Sequence, residues 1–243
     1  MSGHSKWSQI KHKKAATDAK KGQLFSKLVR EIMIAARTGG PIPSSNIRLR
    51  TTIERARAQG LPKDNIERAI ERASGEGEGS KLQEFLCEAT ATGGVSILIE
   101  GITDSKNRSI AEIKHILSDK GGKLADIGSV AWNFDKIGTL DVPFETAPKK
   151  EDAELAFIEA GADDFICLDD RWKIETNFAK QETVRQNLEQ HGITIQESGH
   201  GYKPRQTITI DRDVKDRLAP LIEALLNQDD VQEIYTNLRE AGI

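Results

Sequence analysis

The residues of this chain with the strongest chemical signature stand near its start. "GHSKWSQIKHKKAATDAKKG", Gly3 to Gly22, gathers Lys6, Lys11, Lys13, Lys14, Lys20 and Lys21 around a single acid, Asp18. Ammonium groups at that density bind the phosphates of a polyanion and release its condensed counterions. Trp7 can stack on a base or tuck against neighbouring helices, and His12 can donate to a phosphate. The surplus extends beyond this stretch. Residues 1–75 hold sixteen Lys and Arg against six Asp and Glu, which leaves 19 against 32 in 76–243, in a chain of net charge −3. A basic end joined to an acidic body predicts nucleic acid, duplex DNA or ribosomal RNA, as the partner of the first part.

Catalytic chemistry finds little support. The chain has no G-x-x-x-x-G-K-[ST], no strand-coupled G-x-G-x-x-G, no H-E-x-x-H and no G-x-S-x-G. Asp163-Asp164 and Asp169-Asp170 are carboxylate pairs flanking a strand. General acid-base work would need one of them buried with a raised pKa, and acidic ends of a surface strand are the commoner case. His4, His12, His115, His191 and His200 are scattered without metal-ligand spacing, and Cys87 and Cys167 each stand alone. No enzyme activity, metal or cofactor is predicted. The lone cysteines, the lack of an apolar run near the ~20 residues of a membrane span, and the lack of a secretory signal predict a cytoplasmic protein with no membrane partner.

The elements that must carry these residues follow from periodicity. Before the Gly-Glu linker "SGEGEGS" (74–80), three amphipathic helices are predicted, over about 17–37, 45–59 and from Pro62 to Ala73. On the first, Lys20, Lys27, Arg30 and Arg37 share a face turned away from the apolar stripe of Phe25, Val29, Ile32 and Ala36. On the second, Arg48 and Arg50 point outward. After the linker, "LQEFLCEAT" and "GVSILIEGI" read as a hairpin joined at Thr92-Gly93-Gly94. A helix follows with Ser109 and Glu112 at capping-box spacing. Lys106 and Arg108 stand just ahead of that helix start, where free N–H groups favour anions. "SVAWNF" (129–134), "QTITI" (206–210) and "VQEIYTN" (231–237) read as strands, with a helix over about 214–226.

Between them, residues 136–204 read βαββαβ, with the last strand at "ITIQES" (193–198). The predicted fold is therefore α+β in three parts. A basic arm and helical bundle occupy 1–75, and a discontinuous α+β domain occupies 80–135 plus 205–243. The third part, 136–204, is a ferredoxin-like insert. Residues 137–203 carry seven basic against fourteen acidic residues, and the strand "RWKIETN" lacks the aromatic pattern of an RNA-recognition motif. A protein partner suits that insert better than RNA.

"GHSKWSQIKHKKAATDAKKGQLFSKLVREI", "LPKDNIERAI", "TDSKNRS", "GGKLADIGSVAWNF" and "DDVQEIY" closely resemble the YebC/PmpR family, over essentially the whole chain. That family includes a mitochondrial translational activator. The resemblance implies the same three-domain fold and a cytoplasmic, non-enzymatic regulator. Relatives are described as DNA-binding transcriptional regulators, and others act in translation at the ribosome. Relatives commonly carry a tyrosine- and glycine-rich stretch at the first hairpin, where this chain has "LCEATATGG". The expected function is a nucleic-acid-binding regulator, first a DNA-binding transcriptional regulator. The alternatives are a ribosome-binding translation factor and a protein adaptor acting through the acidic insert.

Overall fold

The structure, a computed structural model, describes residues 18–74, 81–147, 150–168 and 170–239. These fall into two compact units, 134–203 and the remainder. In the larger unit the chain first forms α1 (Asp18–Gly39), α2 (Ile47–Ala58) and α3 (Lys63–Ser74). Leu28, Ile32, Leu49, Ile53, Ile66 and Ala69 bury the facing stripes, and Leu82 and Ile102 join the same core. Asn46 is the joint between the first two helices. Its Oδ1 accepts from Leu49 N at 3.0 Å, while its Nδ2 donates to Ala35 O and Gly40 O at 2.8 and 2.7 Å. One side chain thus caps α2 and satisfies open carbonyls at the end of α1.

β1 (Gln83–Ala91) and β2 (Val95–Thr103) form the expected antiparallel hairpin. Gly93 and Gly94 in its three-residue turn, 92–94, have φ of 83° and 74°, left-handed values that glycine adopts without strain. α4 (Lys106–Asp119), β3 (Gly122–Leu124), α7 (Arg212–Leu226) and β8 (Val231–Thr236) complete this unit, whose sheet runs β3-β1-β2-β8. α4 and α7 lay Ile113, Leu117, Leu218, Leu221 and Leu225 against Val95, Ile97 and Ile99. Gly101 marks a bulge in the β2–β8 pairing. A Cβ there would run into the Phe85 ring and come within 2.5 Å of Asp230 O, so only glycine lets β8 begin so close.

Three expectations fail in this unit, the first two for a polar reason. α4 starts after Ser105, and Ser109 is a buried first-turn residue whose hydroxyl turns to Asp230 instead of capping. "SVAWNF" is no strand. Its amides curl around the Glu88 carboxylate, and a 3₁₀ turn at Ala131–Asn133 precedes the next strand. "QTITI" makes only an isolated parallel bridge, Ile208 to Leu238.

The second unit comprises β4 (Phe134–Pro143), α5 (Lys150–Ala160), β5 (Asp164–Cys167), β6 (Arg171–Asn177), α6 (Gln181–Gln190) and β7 (Glu197–Pro204), with sheet order β5-β6-β4-β7. That order is the ferredoxin-like split βαβ arrangement. Its core gathers Phe157, Trp172, Ile174, Leu140 and Leu188, with the Phe157 and Trp172 rings edge-on at 5.5 Å. The last strand lies later than "ITIQES". Ile193 is buried and Ile195 partly so as the chain crosses from α6, and the polar, glycine-bearing "ESGHGYKP" pairs at the edge. Where the chain leaves for this unit and returns, Asn133 is bonded to the returning strand. Arg205 N donates to Asn133 O at 2.7 Å, and the Asn133 amide exchanges two further bonds with Gln206.

Candidate nucleic-acid interface

Lys6, Trp7, Lys11, His12, Lys13 and Lys14, and the side chain of Lys20, lie outside the described residues. The remaining predicted phosphate ligands divide into two groups, and the structure separates them by what their charges already touch.

The cationic face of α1 is largely committed to the protein itself. Lys27 is buried, and its Nζ donates to Leu226 O at 2.7 Å. Gln23 Nε2 donates to Asn227 O at 3.1 Å, and Arg30 Nη1 to Asp229 O at 2.6 Å. Residues 23, 27 and 30 lie on one helix face, and that face supplies donors to the carbonyls at the C-terminal end of α7. A cation there also meets the negative end of the helix dipole. Lys27 and Arg30 therefore depart from the expectation of open phosphate ligands, because the end of α7 is the nearer acceptor.

Arg30 and Arg108 converge on Asp230, which is 2% exposed. Asp230 Oδ1 lies 2.9 Å from Arg30 Nη1. Its Oδ2 accepts from Ser109 Oγ at 2.6 Å, and from Thr103 Oγ1 and Arg108 Nη2 at 3.1 Å each. Burial alone would raise this carboxyl. The hydrogen bonds from Ser109 and Arg108, the charge of Arg30 and the Thr103 bond outweigh it and hold the group below the ordinary carboxylate range. Arg108 also pairs with Asp104 at 2.8 Å. It is thus a structural tie between the start of α4 and β8, and the guanidinium of the loop expected to face an anion, though exposed, is already paired with two carboxylates.

A second group of cations faces solvent. Lys21 is exposed, its Nζ 5.5 Å from the Phe25 ring centroid. Arg57 and Lys106 are exposed and Arg50 is half-buried. Among the described residues no carboxylate pairs with Lys21, Arg50, Arg57 or Lys106. Arg37 is exposed as well. Arg48 is exposed but pairs with Glu84, and Arg55, on the same helix, pairs with Glu31. α2 thus alternates spent and open guanidiniums: 48 and 55 are neutralised, while 50 and 57, seven residues apart, remain on a shared face.

Sequence reasoning missed Glu88 and Asp230. Glu88 is buried, and its carboxylate accepts from Gly128 N and Val130 N at 2.6 Å and from Ala131 N at 2.8 Å. Burial would raise its pKa, but the N–H groups of Gly128, Ala131 and Val130 hold it below the ordinary value. The loop so fixed leaves Trp132 57% exposed, with its indole N–H donating to Ser129 O at 2.8 Å. No local pattern announces such a residue, because in β1 it occupies the face opposite the apolar one. Among the described residues no cluster of His, Cys, Asp and Glu could hold a metal ion, and no helix is long and apolar enough to cross a membrane.

An α+β protein whose leading helices keep a cation surplus after internal pairing is the class this geometry defines. Comparison with known proteins makes it specific. Residues 5–76 match the model of the TACO1/YebC protein N-terminal domain, and residues 82–238 match that of the TACO1/YebC second and third domain. The chain belongs to the TACO1/YebC family. It is 44% identical over 98% of its length to a protein of Pseudothermotoga lettingae, covering 93% of that protein. It is 40% identical over 99% of its length to one of Desulforamulus reducens, covering all of it. Both are named probable transcriptional regulatory proteins. The crystal structure of a conserved hypothetical protein, Aq1575 from Aquifex aeolicus, matches with a TM-score of 0.85 at 40% identity, over 97% of each chain.

Proposed function

We propose that the chain is a non-enzymatic, cytoplasmic regulator that binds nucleic acid through its basic N-terminal part, most directly duplex DNA in transcriptional control. The observation that carries this reading is the charge left after internal pairing: among the described residues Lys21, Arg50 and Arg57 stand without carboxylate partners, in a segment of sixteen bases against six acids. The relatives' names support the regulatory half of the reading. The contacts are to phosphate. α3 presents Lys63, Asp64, Glu67, Arg68, Glu71 and Arg72 to solvent, a face of mixed sign unlike a helix that reads base edges.

That mixed face also favours a second reading, ribosomal RNA as the target, since phosphate contacts alone do not distinguish the two polymers. Fluorescence anisotropy against a duplex and an rRNA fragment, over a range of salt, tests both. Arg50→Gln and Arg57→Gln should each reduce the salt slope by about 1. A flat salt response overturns nucleic-acid binding altogether. Co-sedimentation with ribosomes without preference among duplexes replaces the first reading by the second.

A further inference from the structure

The acidic unit contains a cavity that nucleic-acid binding leaves unused. It measures about 270 Å³ and sits at one end of the β5-β6-β4-β7 sheet. Asp135 and Lys136 at the start of β4, Asp163 just before β5, and Glu175 and Thr176 near the end of β6 line it, with Lys203 of β7. Glu175 is 1% exposed. Its Oε2 accepts from Lys203 Nζ at 2.9 Å, and the same ammonium reaches Asp164 Oδ2 at 2.8 Å. Glu175 Oε1 is buried and has no hydrogen-bond partner, and neither has the hydroxyl of Thr176, which is fully buried.

Thr176 shares the strand face of Trp172 and Ile174, so its hydroxyl points to the helix side of the sheet, and Glu175 Oε1 is the unmet acceptor of the cavity face, a costly group to leave so. Of the two lysines in the lining, Lys203 is already shared between Glu175 and Asp164, and Lys136 lies with its Nζ 4.3 Å from the Phe178 ring centroid. Asp163 adds a further exposed carboxylate at the rim. The site calls for a compact group that donates several N–H bonds and carries positive charge. A phosphate would meet the like charge of Glu175 and Asp163, and an apolar group would leave the same oxygen unmet.

We propose that this cavity binds a cationic nitrogen head, a guanidinium or primary ammonium, which donates to Glu175 Oε1 and faces Asp163. The head belongs either to a free amine or to an arginine or lysine side chain of a protein partner; the chemistry is shared. A cavity of this size admits such a head and a few methylenes, not a drug-sized molecule.

Amide-resolved NMR of the full chain tests it, with methylguanidine, putrescine and an acetylated, amidated arginine hexapeptide as probes, and the matching citrulline peptide as the neutral control. Saturable shifts at Thr176 and Asn177 with the cations, absent with citrulline, are expected. Glu175→Gln should weaken binding at least tenfold. Asp163→Asn, at the exposed rim, should weaken it several-fold and keeps the test open if the Glu175 variant fails to fold. A peptide that binds more tightly than methylguanidine assigns the site to a protein partner, and equal affinities assign it to a free amine. No saturable shift with any cation, or variants that titrate as the parent does, would overturn the proposal and leave the cavity to water.

Discussion

Asp230 ties three elements of the larger unit together, since residues of α1, β2 and α4 all donate to it. Its replacement by Asn keeps the volume but leaves Arg30 without this anion and Arg108 with Asp104 as its close partner. The expected loss is roughly 3 kcal/mol, read by urea denaturation, because one member of a buried ion pair is removed while the others stay. Both guanidiniums are partly solvated, which keeps the figure at the lower end of the range for buried pairs. The pH dependence has a definite sign. The folded-state pKa of Asp230 lies below its unfolded value, so its stabilisation is complete above about pH 4 and fades as pH falls through the lower folded value. Asp230→Asn should therefore flatten the acid limb of the stability profile, and a limb of unchanged slope would count against this account. Glu88 makes a parallel case. Glu88→Gln retains one acceptor oxygen and loses the charge that draws three amides together. Hydrogen exchange at Gly128, Val130 and Ala131 should speed at least tenfold in that variant while β1 stays protected.

Among the elements, α1 carries the sharpest contrast between what a sequence displays and what a fold does with it. Lys27→Met removes the donor to Leu226 O and should destabilise the protein by about 1–2 kcal/mol. It should leave the salt slope of nucleic-acid binding untouched, whereas Arg57→Gln should lower the slope and leave stability near the parent value. A fallen slope in Lys27→Met would mean that its ammonium reaches phosphate after all. In β2, Gly101→Ala should cost about 1–3 kcal/mol in thermal unfolding, because the added methyl meets the Phe85 ring and the start of β8. The helices, the first hairpin and the βαββαβ order were legible because their apolar periods of 3.6 and 2 are local. The Ser109 cap, the "SVAWNF" strand and the position of β7 were not. Each of those is decided by a partner far along the chain: Asp230 for Ser109, Glu88 for residues 128–131, and the core of the second unit for Ile193. The candidate interface was half legible for the same reason. Charge surplus can be counted in a sequence, but Lys27 and Arg108 look identical to Arg57 until their acceptors fold into place.

At the scale of the molecule, the chain's order follows from the bonds between Asn133 and residues 205–206. Stretch 134–203 has its own core and returns to where it left. Replacing it by a short Gly-Ser connection should leave the amide spectrum of the larger unit's sheet in place, with the Asn133–Gln206 bonds retained. Collapse of that spectrum would show that the unit depends on its insert. The kinetic corollary concerns closure. For the larger unit, β8 and the first hairpin pair across a very long detour of chain, and bringing such distant ends together carries an entropic penalty that grows with the logarithm of the detour. Once the insert has folded, its two ends are already neighbours, and that detour shortens by the whole of 134–203. The insert then acts on its host's unfolded ensemble as a staple would, through topology alone.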